Sequence, residues 1–252
     1  MGSGKKIGIL INCLEVGGAQ KMALQVFDLC DRYFDDAVMM VIDNTVEMPL
    51  HPDAGRAARL EKNLVRLSRL DTRRSTLQKL LCFPLQYIQL TAIARSRKLD
   101  VLVSFEDRAN MFNMVSLFTR GRVISVRHPM GSVLAVKEPL KAVLIKLFFK
   151  LFRYRLTMAN FNTGGSMAEF RDMFPMPAER TGVIYNFCDH DQLRRMSRKL
   201  PDNEAFNRLT GEEYIVACGR FKPVKGFVNL IRLFRRVVSR RPGCKLVILG
   251  DG

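Results

Sequence analysis

The sequence has no tryptophan, five tyrosines and three histidines, and it is poor in acids, with 24 Asp and Glu against 41 Lys and Arg in 252 residues. Without tryptophan and with so little tyrosine it lacks the stacking platforms that single-stranded nucleic acids use. No RRM, KH or zinc-finger pattern is present, so nucleic acid is set aside as the reason for the formal charge of +17. His51, His128 and His190 have no metal-ligand spacing, and no metal is expected. The six cysteines, Cys13, Cys30, Cys82, Cys188, Cys218 and Cys244, include no CxxC pair. Several lie in apolar runs and read as buried free thiols of a reducing compartment. The opening MGSGKKIGIL lacks an apolar signal core. No apolar stretch reaches the roughly 18 residues that a membrane span needs. A GxGxxG fingerprint is absent after the first apolar run, which argues against a plain dinucleotide-binding protein. Two classes of partner remain for the charge: an anionic membrane face and phosphorylated ligands.

What is present is an alternation of elements. Residues 5–14, 37–43, 99–107, 122–128 and 181–186 are continuous apolar runs and read as strands, while 19–32, 75–98, 110–118, 139–155 and 167–174 read as helices. Strands that are apolar throughout, rather than at every second residue, belong to a parallel sheet covered on both faces. Pro84 predicts a kink or break in the 75–98 helix. Residues 56–70 are basic and mixed and give no element. After Asp189 the polar stretch LRRMSRKLPDNEAFNRLTGEE reads as a linker, and 214–218, 227–240 and 245–249 then form one βαβ unit. The expected organisation is an α/β protein with a Rossmann-like domain over 1–186, a linker over 187–211, and the beginning of a second Rossmann-like domain over 212–252.

The stretch YIVACGRFKPVKGF carries the sharpest chemical signal. Gly219 at the end of an apolar strand lets the backbone turn and approach a ligand, and ligands of open α/β sheets lie beyond the carboxyl ends of strands. A helix beginning near Gly226 points its unpaired N–H groups to the same place. Arg220 can fork onto two phosphate oxygens, and Lys225 adds a mobile point charge. The alternative is that both are solvated loop charges of a basic protein.

The segment CGRFKPVKGFVNLIRLFRRVVSRRPGCKLVILGDG resembles the nucleotide-sugar segment of family-4 glycosyltransferases of the GT-B fold. Other stretches resemble the same family in the same order. They are NCLEVGGAQKMALQVF, with Gly17 and Gly18 matching its Gly pair and Gln20 where glutamate is common; LDVLVSFEDRANMFNMV; and VIYNFCD, with Asn186 and Asp189 matching. The resemblance implies a retaining transferase that moves a sugar from a nucleotide-diphosphate donor to a cell-surface glycan, lipid-linked on a polyprenyl diphosphate in some relatives. It assigns the donor diphosphate to Arg220 and Lys225, with Gly219, Gly17 and Gly18 bringing backbone close, and it implies no cofactor and no required metal. In RVISVRHPMGS it makes Arg127 and His128 candidates for contact with the transferred sugar or the acceptor. A loop histidine stiffened by Pro129 is the other reading of His128. Glu106 and Asp107 could touch an acceptor hydroxyl, although a solvated loop is the simpler reading.

In LKAVLIKLFFKLFRYRL, Lys146, Lys150 and Arg153 fall at i, i+4 and i+7 on one helical face, beside a broad apolar arc with Phe148, Phe149 and Phe152. This is either a core helix with a solvated basic stripe or an interfacial helix docked on an anionic membrane. The resemblance favours the second, with Lys146, Phe149, Lys150 and Arg153 as membrane contacts and a place at the inner face of the plasma membrane. The family pattern continues beyond Gly252 with more strands, a nucleoside pocket and a paired-glutamate motif. The expectation is a truncated transferase with little activity of its own. The competing reading is a non-catalytic, membrane-associated binding protein that keeps the acceptor domain.

Overall fold

The structure, a computed structural model, describes residues 4–50, 53–68, 76–131, 139–188, 190–199, 204–209 and 211–250. The chain divides into two compact units, Met1–Cys188 and Asp189–Gly252.

In the first unit the elements follow one another as β1 (Lys6–Ile11), α1 (Gly18–Tyr33), β2 (Asp36–Val41), α2 (Ala54–Lys62), β3 (Leu64–Arg66), α3 (Thr76–Ser96), β4 (Val101–Phe105), α4 (Asp107–Val115), β5 (Gly121–Val126), α5 (Pro139–Phe152), β6 (Met158–Phe161), α6 (Gly164–Met173) and β7 (Thr181–Val183). The strands form one seven-stranded sheet in the order β3-β2-β1-β4-β5-β6-β7. Every pairing is parallel, with Ile9 opposite Met39 and Val103, and Ser104 opposite Ile124. Ile7, Ile9, Ile11, Met39 and Val41 point to one face and pack on α1 and α2 through Met22, Phe27 and Leu60. Leu10, Met40 and Leu102 point to the other, where α3 and α4 cover them through Leu90, Ala94 and Phe112. Farther along that second face, Ile124, Ala159 and Phe161 are covered by α5 and α6 through Phe149 and Phe170. Both faces are buried, and this is why the strand sequences are apolar throughout.

A polar latch interrupts the core between β4, β5 and α4. Buried Asn113 donates to the carbonyls of Leu102 and Val123 and to Ser104 Oγ, and Asn110 accepts from Ser104 Oγ while donating to the Ser125 carbonyl. These bonds fix the short α4 against two strands that its few apolar residues would hold only loosely.

Five details depart from the sequence reading. Met158–Phe161 forms β6, paired between β5 and β7, where no strand was expected. The basic stretch after residue 55 forms α2 and the edge strand β3, because Leu60 reaches the core and Leu64–Arg66 pairs with Met39–Val41. Helix α3 runs through Pro84 without a break: Gln86, Leu90 and Ala94 are buried against the sheet, and that packing holds the turn together without the missing N–H bond. In the stretch expected to be a linker, α7 (His190–Ser197) and α8 (Glu204–Asn207) are helical, with a Glu204–Arg208 pair one turn apart. The division between units falls after Cys188 rather than after residue 186.

The second unit continues with β8 (Tyr214–Cys218), α9 (Phe227–Val238) and β9 (Lys245–Leu249). The two strands pair in parallel, Tyr214 opposite Lys245 through Cys218 opposite Leu249. Ion pairs Arg241–Glu213 and Lys245–Glu212 tie the start of each strand. Val216, Val228, Ile231 and Leu233 are exposed.

Removal of the latch should be costly. Asn113→Ala is expected to lower unfolding free energy by about 3 kcal/mol, since it strips three buried acceptors of a donor. Urea unfolding at neutral pH measures this, and a loss within about 0.5 kcal/mol would mean the latch is not structural.

Candidate functional site

The sheet order places β1 and β4 side by side, while the chain leaves β1 toward β2 and leaves β4 toward β5. Such a switch point opens a crevice at the carboxyl ends of the two strands, where α/β proteins bind ligands. Asn12, just past β1, accepts from Ala109 N at 2.9 Å and so pins the first turn of α4 beside the β1 loop. Gly17 caps α1 in an extended conformation, with no side-chain hydrogen bond at the cap and no acid in the first turn. A Cβ on Gly17 would meet Gln20 Oε1 at 2.3 Å, whereas Gly18 faces open space. The first N–H groups of α1 are therefore accessible to an oxygen of a ligand.

Buried Gln20 reaches across the crevice and donates from Nε2 to Glu106 Oε1 at 2.8 Å. Glu106 has φ 72° and ψ 155°, a region in which a non-glycine residue is strained by about 1–3 kcal/mol. Burial raises its carboxyl to about 7; the bonds from Gln20 and the Asn12 backbone and the charge of His128 lower it in part, and the charge of Asp107 raises it. Its Oε2 is buried and has no hydrogen-bond partner among the described residues. Beside it, His128 Nε2 lies 3.3 Å from Asp107 Oδ1, and that hydrogen bond raises the imidazole above its ordinary value although burial opposes it.

Arg127 is largely committed to the protein. Nη1 donates to the Ile184 carbonyl at 2.8 Å, Nη2 to Asn160 Oδ1 at 3.0 Å, and the guanidinium lies 5.7 Å from the Phe105 ring centre. Burial pulls it below the usual guanidinium range. Its Nε is a buried donor without a partner. Six buried side-chain atoms lack partners among the described residues, and four of them, on Glu106, Ser125, Arg127 and Asn162, sit at the carboxyl ends of β4, β5 and β6. Buried polar atoms are ordinarily satisfied, so their gathering along one edge marks a place built for a polar occupant.

In the second unit, Gly219 follows β8 with φ +157° and donates its N–H to the Leu249 carbonyl at 2.9 Å. Gly250 has φ +156°, and a Cβ there would lie 1.9 Å from the Gly219 carbonyl oxygen, so the two strand ends meet where only glycine fits. Gly226 caps α9 in the left-handed conformation, with no side-chain cap and no acid in the first turn. Arg220 and Lys225 are both exposed on this loop.

The membrane contacts expected on α5 need correction. Lys146 and Lys150 are exposed, but Phe149 is fully buried, packed against Phe170 and Phe174. Arg153 is also buried, donating to the carbonyls of Pro175 and Lys150. The phenylalanine arc is the inward face, with Ile145, Phe148 and Phe152 joining it, and the outward face carries Val143, Leu144, Leu147 and Leu151. Among the residues not expected from sequence are Asn12, Asn160 and Asn162. Their signal was a polar side chain at or beside the end of an apolar strand run, where packing alone would not choose it.

No family model matches the chain. A curated relative, an uncharacterised glycosyltransferase of Methanocaldococcus jannaschii, is 24% identical over 172 residues, covering 65% of this chain and 42% of the relative. Anabaena HepE in complex with UDP and glucose superposes with a TM-score of 0.63 at 17% identity, over 98% of this chain and 61% of that one. The lipopolysaccharide outer core galactosyltransferase WaaB, in its apo form, gives a TM-score of 0.57 at 11% identity, again over 98% and 61%. The chain thus spans less than half of the curated relative and about three-fifths of these solved chains. Its fold is the α/β fold of GT-B glycosyltransferase structures.

The displaced protonation of Glu106 and His128 makes stability depend on pH. Between about pH 4.5 and 7 the folded chain keeps a proton on Glu106 that the unfolded chain has released, so stability on this account falls as pH rises through that window. His128 acts in the same direction, adding stability below 6.5 that is lost as pH climbs past its raised value. Relative to wild type, Glu106→Gln should flatten the pH dependence of urea unfolding by up to roughly 3 kcal/mol. Asp107→Asn should bring the His128 titration down, as followed by imidazole NMR.

Proposed function

We propose that the chain carries the donor-diphosphate seat and the acceptor-side domain of a retaining glycosyltransferase that uses a nucleotide-diphosphate sugar. The observation that carries this reading is the loop between β8 and α9. Gly219 and Gly250 bring two strand ends together, Gly226 leaves the N–H groups of α9 uncapped, and Arg220 and Lys225 stand exposed between them. Lys225 lies along the open side of Gly219, its Cδ 3.7 Å from where a Cβ would be. Neither cation has an ion pair among the described residues. A departing diphosphate gathers negative charge, and a forked guanidinium, a mobile ammonium and a helix N-terminus stabilise that charge without rearranging. UDP is the first nucleotide to try, since HepE was solved with it. Gly17 and Gly18 leave the α1 N–H groups open to an oxygen of either substrate.

The exposed Val216, Val228, Ile231 and Leu233 support a second unit that is the first βαβ portion of a larger nucleotide-binding domain. The acceptor is a cell-surface glycan, lipid-linked, and the enzyme works at the cytoplasmic face of an anionic membrane. Supporting this are the charge of +17 and the outward faces of two helices on the same side of the sheet. α5 exposes Val143, Leu144, Leu147 and Leu151 beside Lys146 and Lys150, and α3 exposes Leu77, Leu81, Leu85 and Ile88. Apolar side chains flanked by lysines suit the headgroup region of anionic lipids. Among the described residues no helix is long and apolar enough to cross a membrane.

Titration of the chain with inorganic pyrophosphate and UDP tests the seat. Arg220→Ala should weaken both by about tenfold or more, and Lys225→Ala by a smaller factor. Unchanged affinity in Arg220→Ala would sink the transferase reading and favour a binding protein. For the membrane, sedimentation with phosphatidylcholine vesicles, with and without phosphatidylglycerol, should show binding to the anionic set alone. Leu147→Glu combined with Leu151→Glu should reduce that binding about tenfold or more. Equal sedimentation of the variant would remove α5 as the contact.

A further inference from the structure

The unexplained group in the first unit is Glu106. Its backbone is held where glycine would be relaxed, at φ 72°, and only one carboxyl oxygen is spent on the bond to Gln20. One oxygen is fixed by Gln20, the Asn12 backbone also bonds to the carboxyl, and Oε2 is buried without a hydrogen-bond partner among the described residues. Gln20 is itself fixed: it is buried in the first turn of α1, under Gly17, where any larger residue would strike its Oε1. A strained backbone, a side chain clamped by Gln20, and an unpartnered oxygen at the switch point of the sheet are the parts of a preorganised contact.

We infer that Glu106 Oε2 binds and orients a hydroxyl group of the sugar acceptor, with Gln20 as the positioning residue behind it. The inference rests on the transferase reading above for the identity of the ligand, although not for the existence of the site. The chemistry selects a hydroxyl. Asp107 and His128 beside Glu106 are paired with each other, so neither a net negative nor a net positive neighbour calls for a charged ligand. A hydroxyl can accept from a protonated carboxyl and donate to an ionised one, so it suits a group that titrates near neutrality. The neighbouring unpartnered atoms fit the same ligand class. Arg127 Nε is a donor, Asn162 Oδ1 an acceptor and Ser125 Oγ either, the mixture that a polyol satisfies and a phosphate does not.

The test uses the whole 252-residue chain and methyl glycosides of the common hexoses and N-acetylhexosamines as probes. Binding is read by saturation-transfer NMR, and Glu106 itself by its carboxyl carbon resonance. At least one glycoside should move that resonance and its titration midpoint. Glu106→Ala and Glu106→Gly should lower the affinity for that glycoside by about tenfold. Glu106→Gly should do so without lowering the melting temperature, because glycine relaxes the backbone. Glu106→Gln, which still donates and accepts, should bind within about threefold and lose the pH dependence. Gln20→Ala should shift the carboxyl resonance and weaken binding, a joint effect that a merely structural glutamine would not produce. Failure of every glycoside to move the Glu106 resonance, or full affinity in Glu106→Ala, overturns the inference. Pyrophosphate titration of the same samples separates the two readings. Glycoside binding without pyrophosphate binding leaves this site standing and removes the transferase, and the reverse result removes only this site.

Discussion

The parallel pairing of β1 with β4 is the constraint on which the first unit depends. Strand β1 connects onward in one direction along the sheet and β4 in the other, so no helix can close over the point between them. Two long-range hydrogen bonds, Asn12 to Ala109 and Gln20 to Glu106, bridge that gap at the carboxyl edge. They join the starts of α1 and α4, which are otherwise anchored on opposite faces of the sheet. The apolar layers supply the bulk of the stabilisation, and these few polar contacts decide the shape of the crevice.

Charge in this crevice is organised by position more than by amount. Arg108 is paired with buried Asp43 at 3.0 Å, and Arg127 is tethered to Asn160 and the Ile184 carbonyl. Most positive charge near the strand ends is thus committed to the scaffold, leaving Glu106, Asp107 and His128 as the adaptable groups. The loop after β8 is the opposite case, since Arg220 and Lys225 are exposed and their surroundings are backbone and glycine. The crevice offers fixed hydrogen-bonding geometry, and the loop after β8 offers exposed, mobile charge.

The legible parts of the sequence were those with local causes. Apolar runs located five of the seven strands of the first unit and both of the second; β3 and β6 escaped because strands of three and four residues carry little pattern. Gly219 and Gly226 were readable because backbone geometry constrains residue type directly. Glu106 was readable only as a strand-end acid that could touch an acceptor hydroxyl: its partner Gln20 is 86 positions away, and a positive φ at an acidic residue leaves no mark in composition. The orientation of α5 failed for a related reason. LIKLFFKLF is apolar on nearly every side, so the sequence allowed either Phe149 or Leu147 to face the sheet, and the aromatic pocket of Phe170 and Phe174 decided it.

The two-stranded sheet of the second unit has a consequence for the molecule in bulk solution. Among the described residues, β8 and β9 each have one edge without a partner strand, and the apolar residues beside them are open to water, the arrangement by which separate chains join through backbone pairing. A charge of +17 opposes such encounters as long as it acts over distance. Its reach shrinks from about 30 Å in dilute buffer to about 3 Å at molar ionic strength. Colloidal stability of this chain is therefore electrostatic rather than steric, and added salt, which steadies many proteins, brings these sticky edges into contact.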